Sequence, residues 1–144
     1  MKVRIKGDSL RLRISRSEVT QLLAGNCLEE TIHFTPEARA KFTYALLQDS
    51  SVSMPTVQYT ENRVAILLPA DQANEWGFTD RVGIAEDISL GQVGSLALLI
   101  EKDFACLDRS DEDNQDTFAN PNAGAQCPVR ESNKQQKYGI RSSA

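Results

Sequence analysis

The first hundred residues of this chain carry one pattern twice. Leu10, Leu12 and Ile14 alternate with Arg11 and Arg13 and end at Ser15; a helix-like stretch with Val19 and Leu22 follows and stops at Gly25. Fifty-four residues later Val64, Ile66 and Leu68 hold the same alternating positions and end at Pro69, and a second helix-like stretch with Ala73 and Trp76 stops at Gly77. A repeated unit implies two related halves about a pseudo-twofold axis. A lone copy of about fifty residues buries too little surface to stand alone, so the apolar positions of both copies must share one core.

The local signals divide each copy into strand, strand, helix, strand, strand. Val3 and Ile5 alternate with Lys2, Arg4 and Lys6, and Gly7-Asp8-Ser9 turns the chain into Leu10–Ile14, which predicts a hairpin with one apolar and one basic face. Ser15 with Glu18 three residues on is a capping box for a helix over 16–24, and Gly25-Asn26 stops it. Strands follow over 28–34 and 42–47, with Thr35-Pro36-Glu37 between them and the serine-rich stretch 48–55 as the join. In the second copy Val57 and Tyr59 lead through the tight turn Glu61-Asn62 to 64–68, a nearly unbroken apolar run expected to be covered on both faces. A helix over 70–76 and strands over 82–88 and 96–100, with Gly91 and Gly94 in their turn, complete it. The expected fold is α+β: an internally duplicated ββαββ unit forming a mostly antiparallel eight-stranded barrel or two-sheet sandwich, its two short helices covering one end of each half. Residues 1–107 form this domain, in copies of about 1–50 and 55–107. Residues 108–144 are an acidic, then polar tail, largely disordered or draped over the body; its segment 104–118 could dock through Phe104, Leu107 and Phe118.

Charge is uneven along the chain. The net charge of −4 is mild, but Lys2–Arg16 holds six bases against one acid, and Glu101–Asp116 seven acids against two bases. Such halves bind each other or different partners. Lys2, Arg4, Lys6, Arg11 and Arg13 should share one face of the hairpin, with Arg16 at the helix start. Cations so placed repel one another unless an anion or an acidic protein sits near; a solvated face, or one neutralised by the chain's own carboxylates, is the plainer reading. Ala65 and Leu67 stand where Arg11 and Arg13 should be repeated, so a basic site would not be duplicated. The absence of interleaved aromatics weakens a nucleic-acid reading.

Other chemistry is thin. Asp108, Asp111, Glu112, Asp113 and Asp116 lie within nine residues but lack the glycine of a calcium loop. The acidic stretch could fold back on the basic hairpin as a cover that salt would loosen. Cys106 and Cys127 are separated by twenty residues with carboxylates between, so a metal of unknown identity held by Cys106, Cys127, Asp108 and Asp111, or a redox-sensitive disulfide, is conceivable. There is no CxxC, and Cys27 and Cys106 read as ordinary semi-buried thiols. His33, the lone histidine, reads as a strand-edge residue, and adjacent Glu29 and Glu30 should point to opposite faces. No nucleophile elbow, phosphate loop or dinucleotide fingerprint occurs. No apolar run reaches the roughly 18 residues a membrane span needs, and no signal core precedes the first strand, so a cytoplasmic protein is expected.

The opening Lys2-Val3-Arg4-Ile5-Lys6-Gly7 with Ser9-Leu10-Arg11-Leu12-Arg13, and the close Ile100-Glu101-Lys102-Asp103-Phe104 with Cys106-Leu107, Asp116, Phe118 and Asn120-Pro121-Asn122, resemble a small family of uncharacterised bacterial proteins, a domain of unknown function. The resemblance covers residues 1 to about 127 and implies a stand-alone domain to which the tail belongs; it carries no activity. The expectation is a non-catalytic binding module engaging an anionic ligand or a protein through Lys2, Arg4, Lys6, Arg11, Arg13 and Arg16. The alternative is a metal or thiol redox sensor using Cys106 and Cys127. An enzyme with a pocket between the halves ranks last, since no acid, base and nucleophile are assembled. No organic cofactor is implied, and the oligomeric state is not legible.

Overall fold

The computed structural model describes residues 1–105 and 115–121. Eight strands and two helices follow in the expected order: β1 (Lys2–Lys6), β2 (Ser9–Ile14), α1 (Arg16–Leu23), β3 (Leu28–His33), β4 (Lys41–Gln48), β5 (Thr56–Thr60), β6 (Arg63–Leu68), α2 (Ala70–Phe78), β7 (Gly83–Ser89) and β8 (Ser95–Lys102). They form two separate four-stranded sheets, ordered β1-β2-β8-β7 and β3-β4-β6-β5, so the fold is a two-sheet α+β sandwich and not a closed barrel.

Each sheet is mixed. The outer pairs are antiparallel hairpins, but the central pairs, β2 with β8 and β4 with β6, are parallel. Both parallel ladders join one copy to the other. A copy sends its first hairpin to one sheet and its second to the other, so neither copy holds a complete sheet. The register bears out the duplication. Leu10, Leu12 and Ile14 face Leu98, Ile100 and Lys102, and 54 residues away Val64, Ile66 and Leu68 face Tyr44, Leu46 and Gln48.

The alternating strand residues and one stripe of each helix supply a single core. Leu12, Ile14, Leu22, Leu46, Leu68, Trp76 and Ile100 are fully buried, and Val19 and Ala73 pack with them. α1 starts with the expected capping box, in which the Ser15 side chain accepts from the Glu18 N–H and the Glu18 carboxylate accepts from the Ser15 N–H. α2 does not stop at Gly77; it runs on to Phe78. Gly77 is the counterpart of Leu23, and a Cβ on it would fall 2.6 Å from a Leu23 methyl carbon. The glycine therefore makes room where the two helices meet. The strand β6 is buried on both faces as expected, with Ala65 and Leu67 as covered as Ile66 and Leu68.

The last strands also serve the helix ends. Gln48, at the end of β4, donates to the Leu22 carbonyl at 2.9 Å, and its counterpart Lys102 donates from Nζ to the carbonyl of Thr79, the C-cap of α2, at 2.5 Å. Both bring a side-chain donor to a carbonyl at a helix C-terminus, where the Leu22 carbonyl also accepts the Gly25 N–H. Lys102 is buried, and burial lowers its pKa against a smaller opposite effect of Asp80. Its ammonium lies 5.4 Å from the centre of the Phe118 ring.

The described residues beyond β8 do dock. Phe104 and Phe118 form a parallel bridge, with the Phe118 N–H on the Asp103 carbonyl and the Ala105 N–H on that of Phe118. Their rings meet edge to face at 6.1 Å. Asp116 sits at the start of α1: it accepts from the Ser17 N–H at 3.0 Å and from the Ser17 hydroxyl, which hold its carboxyl below the usual range. Leu107, the third expected anchor, lies outside the described residues.

Candidate basic face

The outward side of the first sheet is set by the pleat. Lys2, Arg4 and Lys6 project from the edge strand β1; across the ladder stand Arg13, Arg11 and Ser9 of β2, and next to these Glu101, Leu99 and Ala97 of β8. The alternation that buries Leu10, Leu12 and Ile14 and turns Val3 inward thus places five cations on one face, as the sequence predicts. Arg4 lies directly opposite Arg11 and Lys2 opposite Arg13, pairings that destabilise a sheet when nothing anionic is near.

Part of that charge is met within the chain. The parallel pairing of β2 with β8 puts Arg13 beside Glu101, whose Oε1 accepts from Arg11 Nε at 2.7 Å and Arg13 Nε at 2.9 Å. Lys2 Nζ donates to the Asp103 carboxylate at 2.8 Å. Arg4 and Lys6 have no ion pair or side-chain hydrogen bond among the described residues, and both are exposed. Lys2, Arg4, Arg11 and Arg13 line a shallow cavity of about 200 Å³. A second cavity of about 270 Å³ continues past Arg11 and Arg13 to Glu101, Phe104 and Asn120. Arg16 is not part of this face. It begins α1 and lines a separate groove with Thr20, Phe78 and Asp116.

The second sheet is a built-in comparison. Thr56, Gln58 and Thr60 of its edge strand β5 occupy the places of Lys2, Arg4 and Lys6, and Ala65 and Leu67 those of Arg11 and Arg13. Its outer face carries an ordinary ion pair instead, Arg63 with Glu29 at 2.9 Å. Glu30, on the opposite face as expected, accepts from the Tyr44 hydroxyl at 2.8 Å and lies 3.5 Å from the Met1 ammonium. Burial, with the Glu30 contact second, pushes the Tyr44 pKa up to about 12.

The remaining candidates are not gathered into a site. His33 ends the exposed edge strand β3. Cys27 precedes that strand and is exposed with a free thiol, not semi-buried, because the core contact there falls to Leu28. Cys106, Cys127, Asp108 and Asp111 lie outside the described residues. Among the described residues no three His, Cys, Asp or Glu side chains are gathered around a metal position. No described helix is long and apolar enough to cross a membrane.

Residues 1–122 match DUF7009, a family of unknown function, and the chain belongs to it. No curated protein and no solved structure matches the chain.

Proposed function

We propose that this member of DUF7009 is a non-catalytic binding module whose basic face, formed by β1 and β2, engages an anionic partner. One observation carries the reading. The fold accepts Gln58 and Thr60 where the first copy has Arg4 and Lys6, so these two positions can be neutral, yet both are cations without a carboxylate among the described residues. A charge that folding does not require and that no described neighbour compensates is free to act outward. Arg11 and Arg13 add to it, held in place by Glu101, and Lys2 by Asp103. The acidic run 108–113, which could cover such a face, lies outside the described residues, and the proposal rests on the face alone.

The test is binding of fluorescently labelled poly-L-glutamate to the full chain at rising sodium chloride. Binding is expected to weaken with salt and to be lost on changing Arg11 and Arg13 together to Ala. Glu101→Gln releases both guanidinium groups and is expected to tighten it. Binding that is insensitive to salt, or unmoved by both changes, would remove the proposal.

A further inference from the structure

β1 is more than a charged surface. It is the edge of its sheet. Among the described residues it pairs on one side to β2 and on the other to no strand, and none of its backbone groups takes part in a hydrogen bond outside the β1–β2 ladder. Such an edge is an open template for another strand. Its side chains alternate as Lys2, Val3, Arg4, Ile5, Lys6, so cations line one side and aliphatics the other. Ile5 lies on the inward side beside Leu10, yet it is 62% exposed, because β1 has no outer neighbour to cover it.

Resting on the proposed role of the basic face, we infer that β1 takes an extended acidic segment of a partner protein as an added fifth strand of its sheet. The partner's carboxylates lie over Lys2, Arg4 and Lys6, and its alternate apolar side chains cover Ile5 and Val3. Three features select this occupant. A second copy's β1 would bring Lys and Arg against Lys and Arg, so the edge rejects itself. The outward face of β1, β2 and β8 carries no aromatic ring on which bases could stack. An extended chain with acid at every second residue, by contrast, has the two-residue period of the edge. The equivalent edge β5, with Thr56, Gln58 and Thr60, offers the same backbone without the charge.

The probe is a short acetylated and amidated peptide alternating glutamate with valine, titrated against the full chain. Two N-methylated versions, blocked at the odd or at the even amides, separate backbone pairing from charge. The parent peptide is expected to bind, one methylated register to bind at least about tenfold more weakly, and the other to bind like the parent. The β1 amides are expected to exchange more slowly in the complex. Arg4→Glu with Lys6→Glu is expected to transfer preference to a lysine–valine peptide. If both methylated peptides bind like the parent, strand addition is wrong while the basic face stands. If inorganic polyphosphate or single-stranded DNA binds and the peptide does not, the partner class is wrong. If none of these nor poly-L-glutamate binds, the role of the face falls as well.

Discussion

Gly77→Ala is expected to change the sign of its effect according to the residue at position 23. Gly77 lies within α2, where Ala exceeds Gly in helix propensity by up to about 1 kcal/mol. Against that, the new methyl would stand 2.6 and 2.8 Å from the two Leu23 methyl carbons, where 3.4–4 Å is ordinary contact. Overpacking of this kind costs about 1–3 kcal/mol, and the lower half applies because the end of a leucine side chain can shift. In the natural background the change should be neutral to destabilising by about 1 kcal/mol. With Leu23→Ala already present the clash is gone, and Gly77→Ala should stabilise by about 0.5–1 kcal/mol, a coupling of about 1–2 kcal/mol. Urea unfolding followed by the fluorescence of Trp76, the lone tryptophan and fully buried, measures all four corners of the cycle. An effect of Gly77→Ala that is the same in both backgrounds would refute the packing of equivalent helix positions against each other.

Three further outcomes follow from single sites. A spectroscopic titration should show Tyr44 ionising at about 12, above the ordinary tyrosine value of 10.0; since its folded-state pKa is raised, stability should fall as pH rises from 10 to 12, and Tyr44→Phe should flatten that fall. Lys102→Gln, which borrows the residue of the other copy, should unfold at no lower urea concentration than the natural chain, because Gln48 shows that the amide can reach a helix-end carbonyl; Lys102→Ala, which leaves the Thr79 carbonyl without its donor, should unfold earlier. Glu61 and Asn62 both have positive φ in the β5–β6 turn, at +49° and +61°, and Glu61→Gly should raise stability by about 0.5–1 kcal/mol in the same urea assay.

Much of the fold is legible because it is local. The alternation at Leu10, Leu12 and Ile14 and again at Val64, Ile66 and Leu68 reports strands with a buried face, and Ser15 with Glu18 reports a helix start. The pairing of β2 with β8 is not local. Nothing in the period of either strand says which distant hairpin it joins, or that it joins in parallel. Missing that pairing hides the link between the basic hairpin and Glu101, since Arg11 and Arg13 meet this carboxylate only across the β2–β8 ladder. The basic face itself was open to the sequence, as strand alternation puts Lys2, Arg4, Lys6, Arg11 and Arg13 together; Arg16 departs because the chain turns into α1 at Ser15. Gly77 misleads for a similar reason. A glycine after an apolar helical turn is a common stop signal, and only the approach of Leu23 shows that it serves packing instead. Phe118 was recognisable as an apolar anchor, but the Asp116 contact with Ser17 depends on where the returning chain crosses α1.

The most direct measurement moves the neutral edge onto the basic one. Arg4→Gln with Lys6→Thr gives β1 the outward residues that β5 carries at the same places, and leaves Lys2 on Asp103. Poly-L-glutamate binding and the urea midpoint are then measured on one preparation. The expected result is binding weakened at least about tenfold with the midpoint unmoved or higher, since two mutually repelling cations are gone and no described ion pair is lost. Undiminished binding, or a midpoint that drops together with it, would show that these charges do not exist for a partner.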